Sequence, residues 1–213
     1  MRLKIATVSF ISLLSASICI DSASAAIIGI SDIELLSGDY TGETDLTRLI
    51  DGSGLSDTSP PSADFSTVTH NSTSANQARL FTSPTAQVRL TLSSISKIDS
   101  AFFWNGFTSA SNDIQSVRYE FLDSGLTTIF DSGNVAIPGP LGDFEVASVE
   151  YAAPSTISSV QFVDVTFTRR AGGSSFAPGE IRFTNVPEPF TILGTVAALG
   201  IGVKMKKYKQ SVK

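Results

Sequence analysis

The sequence predicts an all-β protein, an antiparallel β-sandwich of the jelly-roll kind, set between an N-terminal signal peptide and a C-terminal transmembrane helix. Three observations predict it. Apolar and polar residues alternate with a period of two in several short runs. Clusters of Ser, Thr, Gly, Asp and Pro separate those runs. No long stretch between the two chain ends repeats at the helical period of 3.6 residues.

Residues 1–25 read as a secretory signal peptide. Arg2 and Lys4 supply the positive start, residues 5–20 the apolar stretch, and Ala23-Ser24-Ala25 the small residues a signal peptidase accepts, with cleavage expected after Ala25. Cys19 lies inside the segment to be removed, and Ile18 before it is too large for a lipobox. The mature chain therefore holds no cysteine. It enters an oxidising compartment without a disulfide, so a core of ordinary size must hold it together. Residues 26–185 have the length of one domain.

Within that domain Val88, Leu90 and Leu92 alternate with Gln87, Arg89 and Thr91. Val117, Tyr119 and Phe121 do the same, as do Val163, Val165 and Phe167, and Ile181 and Phe183 flank Arg182. Such alternation turns one face to a core and the other to water. Gly52-Ser53-Gly54, Ser59-Pro60-Pro61, Pro138-Gly139-Pro140 and Gly172-Gly173 mark turns. Residues 57–76, rich in Ser and Thr, read as one long loop.

Residues 26–186 carry 8 Lys and Arg against 18 Asp and Glu, a formal charge of −10. An acidic domain excludes nucleic acid as a partner, because phosphate contacts need a basic face. It is compatible with Ca²⁺ or neutral sugars. Enzymatic chemistry finds little support. His70 is the sole histidine and lies in a Thr/Asn/Ser stretch, where a solvated surface position is expected. Neither a triad nor a zinc site can be built around it by pattern. Eighteen scattered acids single out no glycosidase pair.

The chain ends in Val186-Pro187-Glu188-Pro189, an uncharged run over 190–203, and a tail over 204–213 carrying five lysines. Fourteen residues of helix span about 21 Å, short of a hydrocarbon core of about 30 Å. The terminal position and the lysines, which extend their stems toward headgroups, still favour a membrane anchor. The positive-inside rule keeps the lysines cytoplasmic and places the domain outside.

Residues 186–213 resemble the PEP-CTERM sorting signal of bacteria that export proteins into an exopolysaccharide matrix. The matching positions are Pro187, Glu188 and Pro189. The resemblance implies an exosortase-type membrane protease as partner and a transient stay in the inner membrane. Release to the cell surface or extracellular matrix would follow. A lysine-rich tail stands where arginines are usual in that family.

The domain is similar to the discoidin or galactose-binding-like jelly rolls in the order of its features. Leu49-Ile50-Asp51-Gly52 resembles the early Asp-Gly loop; residues 87–92, 95–104, 114–123 and 157–167 resemble successive strands; and Gly179-Glu180-Ile181-Arg182-Phe183 resembles the last one. The early tryptophan and the bracketing cysteines of that family are missing. The resemblance implies a structural Ca²⁺ at Asp51 and Glu180, with the carbonyls of Leu49 and Ser53 and the Ser56 hydroxyl in support. Its competitor is that Asp51-Gly52 is simply a turn. The resemblance further implies sugar-binding aromatics on loops at one end, for which Trp104, Asn105 and Phe107 are the candidates. Core packing is the competing reading of each, since two of Phe102, Phe103, Trp104 and Phe107 are expected to face the core. Arg79 and His70 are lesser loop candidates.

The sequence thus reads as an exported, non-enzymatic surface or matrix protein that binds carbohydrate, with a protein-binding matrix or adhesion protein and a glycan hydrolase as alternatives. If Pro187 to Pro189 is a processing signal, Glu188→Ala leaves the full-length chain in the membrane fraction. An immunoblot showing unchanged maturation refutes the assignment.

Overall fold

The computed structural model describes residues 25–41, 45–71, 80–105, 113–139 and 146–185. Among the described residues nine strands run in chain order: β1 (Ala26–Ile28), β2 (Ile30–Ser37), β3 (Tyr40–Thr41), β4 (Leu80–Phe81), β5 (Thr85–Asn105), β6 (Ile114–Leu122), β7 (Thr128–Ala136), β8 (Ala147–Arg169) and β9 (Glu180–Asn185). All pairings are antiparallel. Two short 3-10 turns, Leu46–Leu49 and Pro61–Ala63, are the only helical elements among the described residues. The all-β antiparallel expectation is met. The terminal segments, including the Pro187–Glu188–Pro189 motif and the apolar run, lie outside the described residues.

Two long strands build both layers. The first half of β5 pairs with β2 on one side and with the second half of β8 on the other. The second half of β5 pairs with β9 and with the first half of β8. Register shifts between Thr91 and Ser100 bend the ladder between these halves, as extra residues in one strand do. One layer is therefore β2, β5, β8, β6 and β7, and the other is β1, β9, β5 and β8. At Gly29 the chain passes from β1 in one layer to β2 in the other, and its carbonyl accepts the Ser93 N–H at 2.9 Å, beside the bend of β5.

The predicted alternation sets the inner face. Leu35 opposes Val88, Val88 opposes Val165, and Val165 opposes Tyr119, so one row of apolar side chains crosses four strands. Ile28, Phe183, Ala101 and Tyr151 form the facing row. Aromatic rings join the layers. Phe183 meets Tyr119 at 6.2 Å and Phe121 at 6.3 Å edge-on, Phe103 meets Phe167 at 5.6 Å, and Tyr119 meets Tyr151 at 6.0 Å. Edge-on rings at these separations add to the gain from burial.

Three features depart from the sequence reading. The segments 87–92 and 95–104 are one strand, because the exposed Ser93, Ser94 and Ile95 sit in a bend that does not break the ladder. Strand β8 begins ten residues before the expected 157, despite Pro154, which lies on its exposed first half. Strand β7 lies at the sheet edge with most side chains in solvent, so its Asp131, Ser132 and Gly133 obscure any apolar alternation.

Phe183 is fully buried between the layers. Phe183→Ala is expected to cost about 3–5 kcal/mol in urea unfolding, because the facing layers cannot collapse into the space. Ile95→Ser, at a 60% exposed position in the bend, is expected to stay within about 0.5 kcal/mol of the wild type.

Candidate functional site

Residues 101–105 of β5 are all buried, so both faces of this strand end are covered. Successive side chains of a strand point to opposite faces. Ala101 and Phe103 enter the core between the layers, whereas Phe102 and Trp104 join Phe65 and Val68 in a second apolar cluster on the outer face. Cross-strand partners share that outer face. Trp104 lies between Glu180 of β9 and Ser148 of β8, and Phe102 between Arg182 and Glu150.

Residues 45–71 form the cap over this face. Local hydrogen bonds shape it. Asp51, Asp57 and Asp64 each accept the N–H of the serine two residues on, at 2.7, 2.8 and 2.9 Å, the Asx turn that short acidic side chains favour. The Ser66 hydroxyl and N–H hold the Asp64 carboxyl below the usual carboxylate range. Leu55 and His70 pair as an isolated bridge, with Ser56 N–H donating to the Thr69 carbonyl and Asn71 N–H to that of Gly54. Phe65 then packs on Phe102 at 5.4 Å and edge-on to Trp104 at 5.6 Å. The stretch read as a long loop is, through residue 71, a loop packed as a cover on the sheet. Ala63, Phe65 and Val68 among its serines and threonines were the signal for it.

Between the cap and β8 lies a cleft of about 320 Å³, lined by Ser66, Thr67, Val68, Thr69, His70, Trp104, Val146 and Ser148. It falls at the small end of the about 300–1,000 Å³ range of ligand pockets. Among the described residues its lining carries hydroxyls and no carboxylate, lysine or arginine. His70 is only 7% exposed, and neither of its ring nitrogens has a hydrogen-bond partner among the described residues. The expected surface histidine is therefore a buried one. Burial holds its imidazole below its ordinary pKa, opposed by the nearby backbone of Asn71 and Ser53 and by the Asp51 carboxylate. A neutral imidazole offers one donor and one acceptor.

Of the three sugar-site candidates, the two that are described, Trp104 and Asn105, do not converge. Trp104 lines the cleft, but it is 1% exposed and its indole N–H donates to the Val68 carbonyl at 2.9 Å, so it supplies apolar wall and no hydrogen bond. Asn105 lies on the opposite face of the strand, fully buried, its amide donating to Asp113 Oδ1 at 2.7 Å. The pleat of β5 prevents the two from meeting one ligand. Asp113 also takes the Arg170 guanidinium, so this cluster anchors the strand ends. Phe107 and Arg79 lie outside the described residues.

At the expected Ca²⁺ position, Glu180 is fully buried and both its oxygens accept the Gly52 N–H at 3.1 Å. Burial pushes its carboxyl upward, opposed by Arg182 and by that N–H. Arg182 Nη2 lies 2.8 Å from Glu180 Oε1, and Nη1 donates to the Ile50 carbonyl at 2.8 Å. Asp51 faces outward, toward the Ser53 N–H and, at 4.0 Å, Arg48. The Ser56 hydroxyl accepts the Thr69 N–H. Ca²⁺ takes six to eight oxygens. Among the described residues no three His, Cys, Asp or Glu side chains gather to hold a metal. The donor set as it stands does not fit the ion, because a guanidinium already meets the buried carboxylate and the turn carbonyl.

No protein family and no curated protein matches the chain. Several solved carbohydrate-binding domains are similar to it. A mutant of the lectin binding domain of Lectinolysin, complexed with Lewis b, is 11% identical over 72% of this chain and 91% of that one, with a TM-score of 0.48. GH31 CBM32-2 bound to GalNAc is 13% identical over 73% and 97%, with a TM-score of 0.48. The family 32 CBM from C. perfringens NanJ, in complex with galactose, is 11% identical over 76% and 99%, with a TM-score of 0.45. The architecture described above rests on the chain's own strand pairing.

The buried His70 makes a pH prediction. The unfolded chain takes up a proton near the ordinary value of about 6.5, whereas the folded chain resists it. The His70 contribution is therefore intact above that pH and lost as the pH falls below it. Between about pH 7 and about pH 5 the wild-type melting temperature should drop further than that of His70→Phe. Parallel curves refute the reading.

Proposed function

We propose that the chain is an exported, non-enzymatic protein of the cell surface or matrix whose sandwich binds an uncharged carbohydrate in the cleft between the 66–70 segment and β8. The observation that carries this reading is the cleft lining itself, in which Ser66, Thr67, Thr69 and Ser148 stand beside Trp104, Val68 and Val146, with His70 among them. A sugar ring presents hydroxyls that need fixed polar partners and C–H faces that suit an apolar wall. Among the described residues the cleft lining holds no Asp, Glu, Lys or Arg, which suits an uncharged ligand.

Hydrolysis is not supported by this site. Glycoside cleavage needs two carboxyl groups flanking the bond, and among the described residues none lines the cleft. Nor, among those residues, does a ring nitrogen of His70 bond to a serine or an acid, as a triad would require.

Export rests on the sequence features at the two ends. Ala26 pairs directly with Asn185, so the residue after the expected signal-peptidase site sits beside the strand end that leads to Pro187. Both membrane-directed segments would leave the domain at one place. In this reading the Pro187–Glu188–Pro189 motif hands the anchored protein to an exosortase-type protease, and the released domain meets exopolysaccharide or another glycan.

A glycan array with the purified protein tests the cleft. A neutral glycan is expected to give signal, and Ser148→Trp, a surface change that fills the cleft from β8, is expected to lower it at least about tenfold, the equivalent of about 1.4 kcal/mol. His70→Phe should weaken binding while keeping the fold. Signal unchanged by Ser148→Trp, or none on any glycan, overturns the proposal. Trp104→Ala is a poor test, since removing a buried indole costs about 3–5 kcal/mol of stability by itself.

A further inference from the structure

Besides its packing on Phe102 and Trp104, the cap is fastened to the last strand at Glu180, which opposes Trp104 across β5 and β9. The turn at 50–52 and the last strand are separated by 128 residues at the Gly52–Glu180 contact and 132 at the Ile50–Arg182 contact. Four groups close the joint: the Gly52 N–H, the Ile50 carbonyl, the Glu180 carboxylate and the Arg182 guanidinium. Glu180 has no exposed side-chain surface and Arg182 only 12%, so the pair is desolvated. A buried carboxylate demands a positive partner there.

The guanidinium meets that demand by its shape. Its two Nη groups reach different acceptors, one a carboxylate oxygen of β9 and the other a carbonyl of the turn, both at 2.8 Å. A metal would need a shell of oxygens, whereas a planar fork needs only two well-placed ones. The space is filled as well. A Cβ at residue 52 would stand 2.8 Å from Arg182 Nη2 and 2.7 Å from the Thr58 methyl, and the φ of +81° at Gly52 is a conformation that other residues seldom adopt. The carboxylate of Asp51, the residue that would complete a metal shell, points away.

We propose that the Arg182 guanidinium is the resident cation of this joint, fastening the 45–71 cap to β9 in place of a divalent metal. The fold then closes without Ca²⁺, and the cleft wall built from residues 66–70 is held in position through Arg182 with no metal supply required. The inference concerns the joint alone and stands whether or not the cleft binds sugar.

Thermal unfolding of the full chain in mild detergent tests it. The wild type is expected to melt at the same temperature in excess EDTA and in millimolar Ca²⁺. Arg182→Met is expected to lower Tm by on the order of 10 °C, as removal of one partner of a buried pair does in a domain of this size. Glu180→Gln should lower it too, and the double variant should fall by less than the sum of the two, because both act through one contact. A wild-type Tm that rises with Ca²⁺ overturns the proposal. So does an Arg182→Met protein that melts with the wild type, or full additivity. The comparison of wild type with and without Ca²⁺ requires no variant, and so remains decisive if Arg182→Met does not fold.

Discussion

The end of strand β5 is apolar on both faces, and the rest of the molecule answers to that. Phe103 can be buried against the second layer, as in any sandwich. Phe102 and Trp104 point the other way, and an open sheet would leave both rings in water. Burying such a side chain is worth about 1.5–3 kcal/mol, so a cover is favoured, and residues 45–71 provide it. The cleft exists because that cover stops short of β8. It is bounded by the Trp104 wall on one side and by the polar edge of the cap on the other.

Charge has been used to fasten rather than to recruit. Arg89 pairs with Asp164 across β5 and β8, Arg118 with Asp131 across β6 and β7, Arg170 with Asp113, and Arg182 with Glu180. Arg169 donates to the carbonyls of Thr82 and Ser174. Among the described residues no arginine cluster is left to face an anion. Asp32, Glu34, Asp39, Asp57 and Glu150 are exposed, and an acidic surface of this kind repels phosphate. A cleft lined by hydroxyls and one neutral imidazole is consistent with this distribution.

The polar joints and the apolar cover depend on each other. The joint at Arg182 and Glu180 fixes one side of the cap, Phe65 and Val68 pack its middle, and the bridge between Leu55 and His70 orders the side next to the cleft. His70 is buried by its position in this arrangement and not by its sequence neighbours. A Thr/Asn/Ser stretch reads as solvated, and only its bridge to Leu55 and its placement beside Trp104 of β5 take the ring out of water.

Much of the sandwich was legible along the chain. Period-two alternation at 88–92, 117–121 and 163–167 reports which face is buried, because side-chain direction along a strand is a local property. The strand ends were less legible, since β7 is an exposed edge and β8 begins in half-exposed residues. The site was hardly legible at all. That Trp104 and Asn105 diverge follows from the pleat once the strand is known to run through both, but whether it ends at 104 or continues is decided by pairing with Ser148 and Ala147, far along the chain. Residue order by itself determined the all-β class, the apolar rows and the acidic balance, for these depend on spacing and composition. Tertiary structure alone decided that Arg182 would meet Glu180 and Ile50, that His70 would be buried without partners, and that a cleft would open beside Trp104. Those outcomes depend on which distant segments lie against one another, and no local spacing carries that information.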